Sequence, residues 1–134
     1  MIINSINTES ITPVEYNHMH DSTLVFRKYR ENFDFGLTVD QYYFNKDAII
    51  VLSGSDFSST IDGKIISFYK PLSVKAGQTL SISQTTDGAR CYLCIKGGFQ
   101  VPPTLNSSST HVLSKIGGFE GRNLKKKDEI LFSN

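Results

Sequence analysis

Tryptophan is absent, and no apolar run approaches the roughly 20 residues of a membrane-spanning helix. The missing Trp costs a core little, because 9 Phe and 6 Tyr supply aromatic bulk. The missing apolar run excludes a helical membrane span. An excess of one charge is also lacking: 14 basic and 13 acidic side chains leave a net charge of +1. That balance gives no electrostatic footprint for nucleic acid or an anionic membrane surface, and neither is expected as a partner. With 3 His and 2 Cys, few ligands exist for a metal centre, and none is expected. The opening stretch MIINSINTESITPVEYNHMH has neither the basic head nor the apolar run of a secretory signal, so a cytoplasmic protein is expected.

Cys91 and Cys94 have the spacing of a CxxC pair, but they lie in ARCYLCIKG, which reads as a strand. Residues three apart on a strand point to opposite faces, so a disulfide or shared metal would require the strand to break. Two reduced, unconnected small hydrophobes are the expectation. His18 and His20 read as part of a surface loop.

Helical periodicity is lacking too: nowhere do apolar residues recur at helical spacing over a dozen positions. STHVLSKIGG is the one plausible helical turn, with Ser109 or Thr110 as cap and Gly117 as terminator. What is present is a series of short β-prone runs. Residues 1–20 read as a loose arm or a first edge strand, and STLVFRKYR as a short strand ending in charge. ENFDFGLTVDQYYFNKD reads as one strand or two joined by a turn, and AIIVLSG as a strand buried on both faces. Asp62-Gly63 between SSTI and KIISFY predicts a hairpin with a type I′ turn. Ala76-Gly77 turns the chain into a strand on which Leu80 and Ile82 share a face. NLKKKDEILFS repeats the shape of SVKAGQTLSIS, with Leu124, Ile130 and Phe132 answering Val74, Leu80 and Ile82. Short strands at this spacing predict a mainly β barrel or sandwich, as a single domain over residues 1–134.

One span departs from this pattern. KGGFQVPPTLNSSST leaves the end of a predicted strand with paired glycines, Gly97 and Gly98, where another backbone or a ligand can approach closely. Pro102 and Pro103 stiffen the exit. Ser107, Ser108, Ser109 and Thr110 then offer hydroxyls and amides of the kind that hold a carboxylate, carbonyl or phosphate, or form a hydrophilic connector. Five further residues have alternative readings. Asp56 positions a substrate amine or a metal, or caps its own turn, and Lys96 contacts an anion or is a solvated strand end. Arg90 and Arg122 bind a carboxylate or stitch loops by bonding backbone carbonyls. His111 is a base or simply the start of the next element.

An ordered set of motifs runs through this region. Gly88, Ala89, Arg90, Tyr92, Leu93, Gly97 and Gly98 come first, followed by Val101, Pro102, Leu105, Ser107, Ser109 and Thr110. Gly117, Gly118, Gly121, Arg122 and Leu124 follow, with Asp128 close behind; upstream stand Gly54, Asp56, Asp62 and Gly63. From about Ala48 to Phe132 the chain resembles the KipA family, also called allophanate hydrolase subunit 2 or the C component of 5-oxoprolinase. It is similar as well to the carboxyltransferase domain of urea carboxylase. The chain departs from the family pattern at Asn106 and Lys127, where Gly is usual, and at Ser108, where Arg is usual. The family's N-terminal Gln-Asp-x-Gly-Arg segment has no counterpart here, so the chain is expected to be truncated relative to the family.

The resemblance implies a cyclophilin-like β-barrel with at most short helices. It implies a KipI-type partner (the B component of 5-oxoprolinase) and ATP-dependent opening of 5-oxoproline, an amide hydrolysis, or a related carboxyl transfer. The alternative is a non-catalytic regulatory or protein-binding module that keeps the barrel and its partner surface. No cofactor is expected on this chain alone, ATP belonging to the complex, and the ligand implied is a small carboxylate or lactam. The residues placed at the substrate- or partner-binding surface are Asp56, Lys96, Gly97, Gly98, Ser107, Ser109, Thr110, Gly117, Gly118 and Arg122. No catalytic residue is singled out.

Overall fold

The computed structural model describes residues 1–5, 23–27, 40–83, 87–88 and 90–133, the side chains of 3–5 and 23–27 excepted. The described residues hold eleven strands: β1 (Ile2–Ser5), β2 (Thr23–Arg27), β3 (Asp40–Tyr43), β4 (Ala48–Gly54), β5 (Thr60–Ile61), β6 (Lys64–Ile65), β7 (Leu72–Val74), β8 (Thr79–Ile82), β9 (Arg90–Ile95), β10 (Thr110–His111) and β11 (Ile116–Gly117). No helix occurs among the described residues, and the class is mainly β. The strands form a five-stranded sheet in the order β1-β3-β8-β5-β6, a four-stranded sheet in the order β2-β9-β4-β7, and the β10-β11 pair. Among the described residues these sheets are open, with no closed ring of strands. Residues 2–5 therefore take the edge-strand reading; His18 and His20 lie outside the described residues.

Alternation sets the core. Tyr42 on β3, Leu80 and Ile82 on β8, Ile50 and Leu52 on β4, and Leu93 on β9 are all fully buried in one cluster that joins the two sheets. Cys91 is buried and Cys94 half-buried, both on β9 and neither in a disulfide. AIIVLSG corrects one expectation: only one face of β4 meets the core, and Ile49 on the other is 41% exposed. A continuous apolar run cannot by itself distinguish a strand covered on both faces from one covered on a single face. A second correction concerns STHVLSKIGG, which is a hairpin rather than a helical turn. Thr110 pairs with Gly117 and His111 with Ile116, around a four-residue turn closed by the Lys115 amide donating to the Val112 carbonyl at 3.2 Å. Lys115 and Gly117 both have positive φ, at 53° and 74°, which ends any helical run.

The Asp62-Gly63 turn joins β5 to β6 with φ of 47° and 80°, the signature of type I′. The repeat is also real at the level of the turn. The Gln78 amide donates to the Lys75 carbonyl at 3.0 Å, and the Asp128 amide to the Lys125 carbonyl at 3.1 Å. In each turn the fourth side chain accepts from the first amide: Gln78 Oε1 from Lys75 at 2.8 Å, and Asp128 Oδ2 from Lys125 at 2.7 Å. The third position is Gly77 at φ 93° in one and Lys127 at φ 78° in the other. All six apolar residues of the repeat are buried.

Candidate functional site

A Cβ on Gly97 would overlap the Ser133 carbonyl, so the backbone that comes close there is the chain's own C-terminal stretch. The Ser133 amide donates to the Gly98 carbonyl at 3.2 Å, the Gln100 amide to the Leu131 carbonyl at 2.7 Å, and Phe99 bridges Phe132. The turn that sends the chain along this stretch has Lys96 and Gly97 at its centre and is closed by the Gly98 amide donating to the Ile95 carbonyl at 3.1 Å.

The hydroxyl run is folded tightly on itself. Thr104 and Ser107 exchange two backbone hydrogen bonds, at 2.8 and 3.0 Å, around Leu105 and Asn106. Both central residues have positive φ, 51° and 60°; Asn tolerates this better than Leu, whose side chain is left 94% exposed at the tip. Ser107 Oγ accepts from the Ser109 amide at 3.1 Å. The Ser109 carbonyl packs on Gly117 and the Thr110 hydroxyl on Gly118, each so close that a Cβ on the glycine would overlap it. Thr110 is 1% exposed, and its hydroxyl has no hydrogen-bond partner among the described residues. Ser107, Ser109, Thr110, Gly117 and Gly118 are thus brought together around the β10–β11 hairpin. His111 is exposed there, and its Nδ1 accepts from the Ser114 amide at 3.2 Å.

Arg122 lies just beyond, where its guanidinium donates four hydrogen bonds and pairs with two carboxylates. Nη1 donates to Asp128 Oδ2 at 2.8 Å and to the Asn123 carbonyl at 2.9 Å; Nη2 donates to Asp128 Oδ1 at 2.9 Å. Nε and Nη2 both reach Glu120 Oε2, at 3.0 and 2.8 Å. The Phe119 ring lies 5.3 Å from the guanidinium carbon. Hydrogen bonding from Arg122 holds the Asp128 carboxyl below its usual range, and Asp128 in turn raises the Arg122 pKa. Arg122 therefore does stitch loops together, to carboxylates as well as to a backbone carbonyl.

Asp56 and Lys96 stand apart from this module. Asp56 is exposed on the β4–β5 connection, where Oδ1 accepts from the Ser58 amide at 2.8 Å; it caps its own turn. Lys96, exposed just after β9, lines a cleft of about 270 Å³ with Asp47, Ala48, Ile49, Ser73 and Lys75. Arg90 opens β9, exposed, and its carbonyl accepts from the Ser55 amide at 2.7 Å. A reading of the sequence passes over Glu120 and Asp47. The signals present were the alternating charge of Glu120-Gly121-Arg122 and, for Asp47, nothing nearer than the turn that follows β7, where it accepts from Lys75 Nζ and the Ala76 amide.

The chain is similar to the urea amidolyase of Saccharomyces cerevisiae, 44% identical over 96 residues that make up 72% of this chain and 5% of that protein. It is also similar to the C component of the 5-oxoprolinase of Haemophilus influenzae, 36% identical over 91 residues, 68% of this chain and 29% of that protein. Among solved structures, the K. lactis urea amidolyase superposes with a TM-score of 0.73 at 32% identity, over 82% of this chain and 6% of that one. The chain thus spans only a small part of the curated relatives it matches. The family model for the carboxyltransferase domain, subdomain A and B, matches residues 32–134, and the chain belongs to that family.

Proposed function

We propose that this chain is a substrate-binding element of an ATP-dependent, cytoplasmic enzyme complex that hydrolyses 5-oxoproline or carries out a related carboxyl transfer. In this reading it works with a KipI-type partner, the B component of such a complex. The observation that supports it is the gathering of Ser107, Ser109, Thr110, Gly117 and Gly118 around one hairpin beside Arg122. The module carries hydrogen-bonding groups and a guanidinium, while both cysteines lie on β9 and His111 is engaged with the Ser114 amide. It is equipped to bind rather than to react, and the chemistry and ATP fall to the partner. Two curated relatives are each named as the C component of a 5-oxoprolinase, which is consistent with a multi-subunit setting. Closure of the two sheets into a cyclophilin-like barrel belongs to the same proposal.

A second reading, a binding module without a part in catalysis, is favoured by the four hydrogen bonds that already engage Arg122 within the chain. Co-expression with a KipI-type protein, co-purification, and an assay of 5-oxoproline-dependent phosphate release separate the two. A complex that releases phosphate supports the first reading. A complex without turnover supports the second, and no complex overturns both.

A further inference from the structure

We propose that the Nε–Nη2 edge of Arg122 is a carboxylate-binding site held closed by Glu120, so that a small carboxylic acid binds by taking the place of the Glu120 side chain. The inference rests on the reading that this module meets a carboxylate-bearing ligand.

The two carboxylates on Arg122 differ in kind. Asp128 is the fixed one. Its side chain is 12% exposed, both oxygens pair with the guanidinium, and Oδ2 also accepts from the Lys125 amide at 2.7 Å. Removing it would unmake the 125–128 turn. Glu120 is the displaceable one. Its side chain is 65% exposed and reaches Arg122 through Oε2 alone; among the described residues its carboxylate has no other bond. Exposed ion pairs of this kind contribute little, so displacement costs little.

The backbone under Glu120 is held independently of that contact. Phe119 packs against the core, Gly121 is buried, and the Gly121 amide donates to the Gly117 carbonyl at 2.9 Å. The side chain can therefore swing out while the loop stays in place. Two N–H donors on one guanidinium edge suit a carboxylate that uses both its oxygens, whereas Glu120 uses one. The Phe119 ring beside the guanidinium supplies a flat apolar wall. The ligand class that follows is a small monocarboxylic acid with a flat or cyclic body.

The test is a titration with propionate and with 5-oxoproline, following the Arg122 Nε–H signal by nitrogen-edited NMR, in the wild-type chain and in Glu120→Gln. Arg122→Lys is titrated in parallel by calorimetry, with thermal melts to confirm that it is folded. Glu120→Gln should bind about fivefold more tightly than wild type, equivalent to about 1 kcal/mol, and Arg122→Lys should lose binding. Equal affinity of Glu120→Gln and wild type would overturn Glu120 as a competitor and leave the carboxylate reading intact. Binding retained by Arg122→Lys would place the acid elsewhere and overturn the site alone. No binding by any form would overturn both the site and the carboxylate reading.

Discussion

Lys127 carries a long side chain on a left-handed backbone, φ 78°, where its counterpart in the repeated turn is Gly77. A non-glycine residue in that region costs about 1–2 kcal/mol. Glycine gives back part of this through the greater freedom of the unfolded chain. Lys127→Gly should therefore raise stability by about 0.5–1 kcal/mol, read as a higher midpoint in urea denaturation with an unchanged slope. At this scale the sequence was informative about which residues stand out and silent about what they meet. Arg122 and Asp128 were visible as motif positions, but their fork-to-fork pairing depends on a turn that brings residues six apart together. Gly97 was visible as a point of close approach; that the approaching backbone is Ser133 follows only from the fold.

Between elements, the closest approach in the module is Gly118 against Thr110, so the β10–β11 hairpin has no room for a methyl group there. Gly118→Ala also places a side chain on a backbone at φ 56°. The expected loss is about 2–4 kcal/mol, from overpacking and left-handed strain together. Because the Thr110 hydroxyl has no hydrogen-bond partner among the described residues, Thr110→Ala in the same chain should recover part of that loss. Thermal melts of the two single variants and the double variant measure the coupling. The Asp62-Gly63 hairpin and the alternation of β8 and β9 were legible, since turn chemistry and period-2 burial are local. The β10–β11 hairpin was not, because HVLSKI suits a helical turn until pairing with Gly117 is available. Nor was strand partnership: Ala76-Gly77 reads like a hairpin turn, yet it delivers β7 to one sheet and β8 to the other.

Across the whole molecule, Tyr42 on β3 and Cys91 on β9 place one titratable group from each sheet in the same core, both fully buried. Burial, with Asp56 nearby, pushes the Cys91 thiol up to about 12 from 9.0, and burial with Asp40 raises the Tyr42 phenol well above its ordinary 10.0. The folded state keeps both protonated while the unfolded chain lets them ionise. Their contribution is therefore fully present below about pH 9 and is lost as pH rises from there towards 12. Melting temperature measured against pH should fall over that window, and Cys91→Ala should flatten the lower part of the decline. A melting temperature constant through pH 11 would contradict the burial of both groups.

The same core is closed by two segments far apart in sequence. Met1 exchanges backbone hydrogen bonds with Ile130, at 3.1 and 2.9 Å, Ile2 bridges Glu129, and Phe132 packs edge-on against Phe44 at 6.1 Å. During synthesis β1 leaves the ribosome long before residues 129–130 exist to meet it. Phe44, Phe99 and the Gly97-Gly98 turn must wait, apolar surface uncovered, until residues 129–133 emerge. Contacts of such sequence separation form slowly, and their late arrival keeps the nascent chain open to chaperones and to misassociation until residues 129–133 dock.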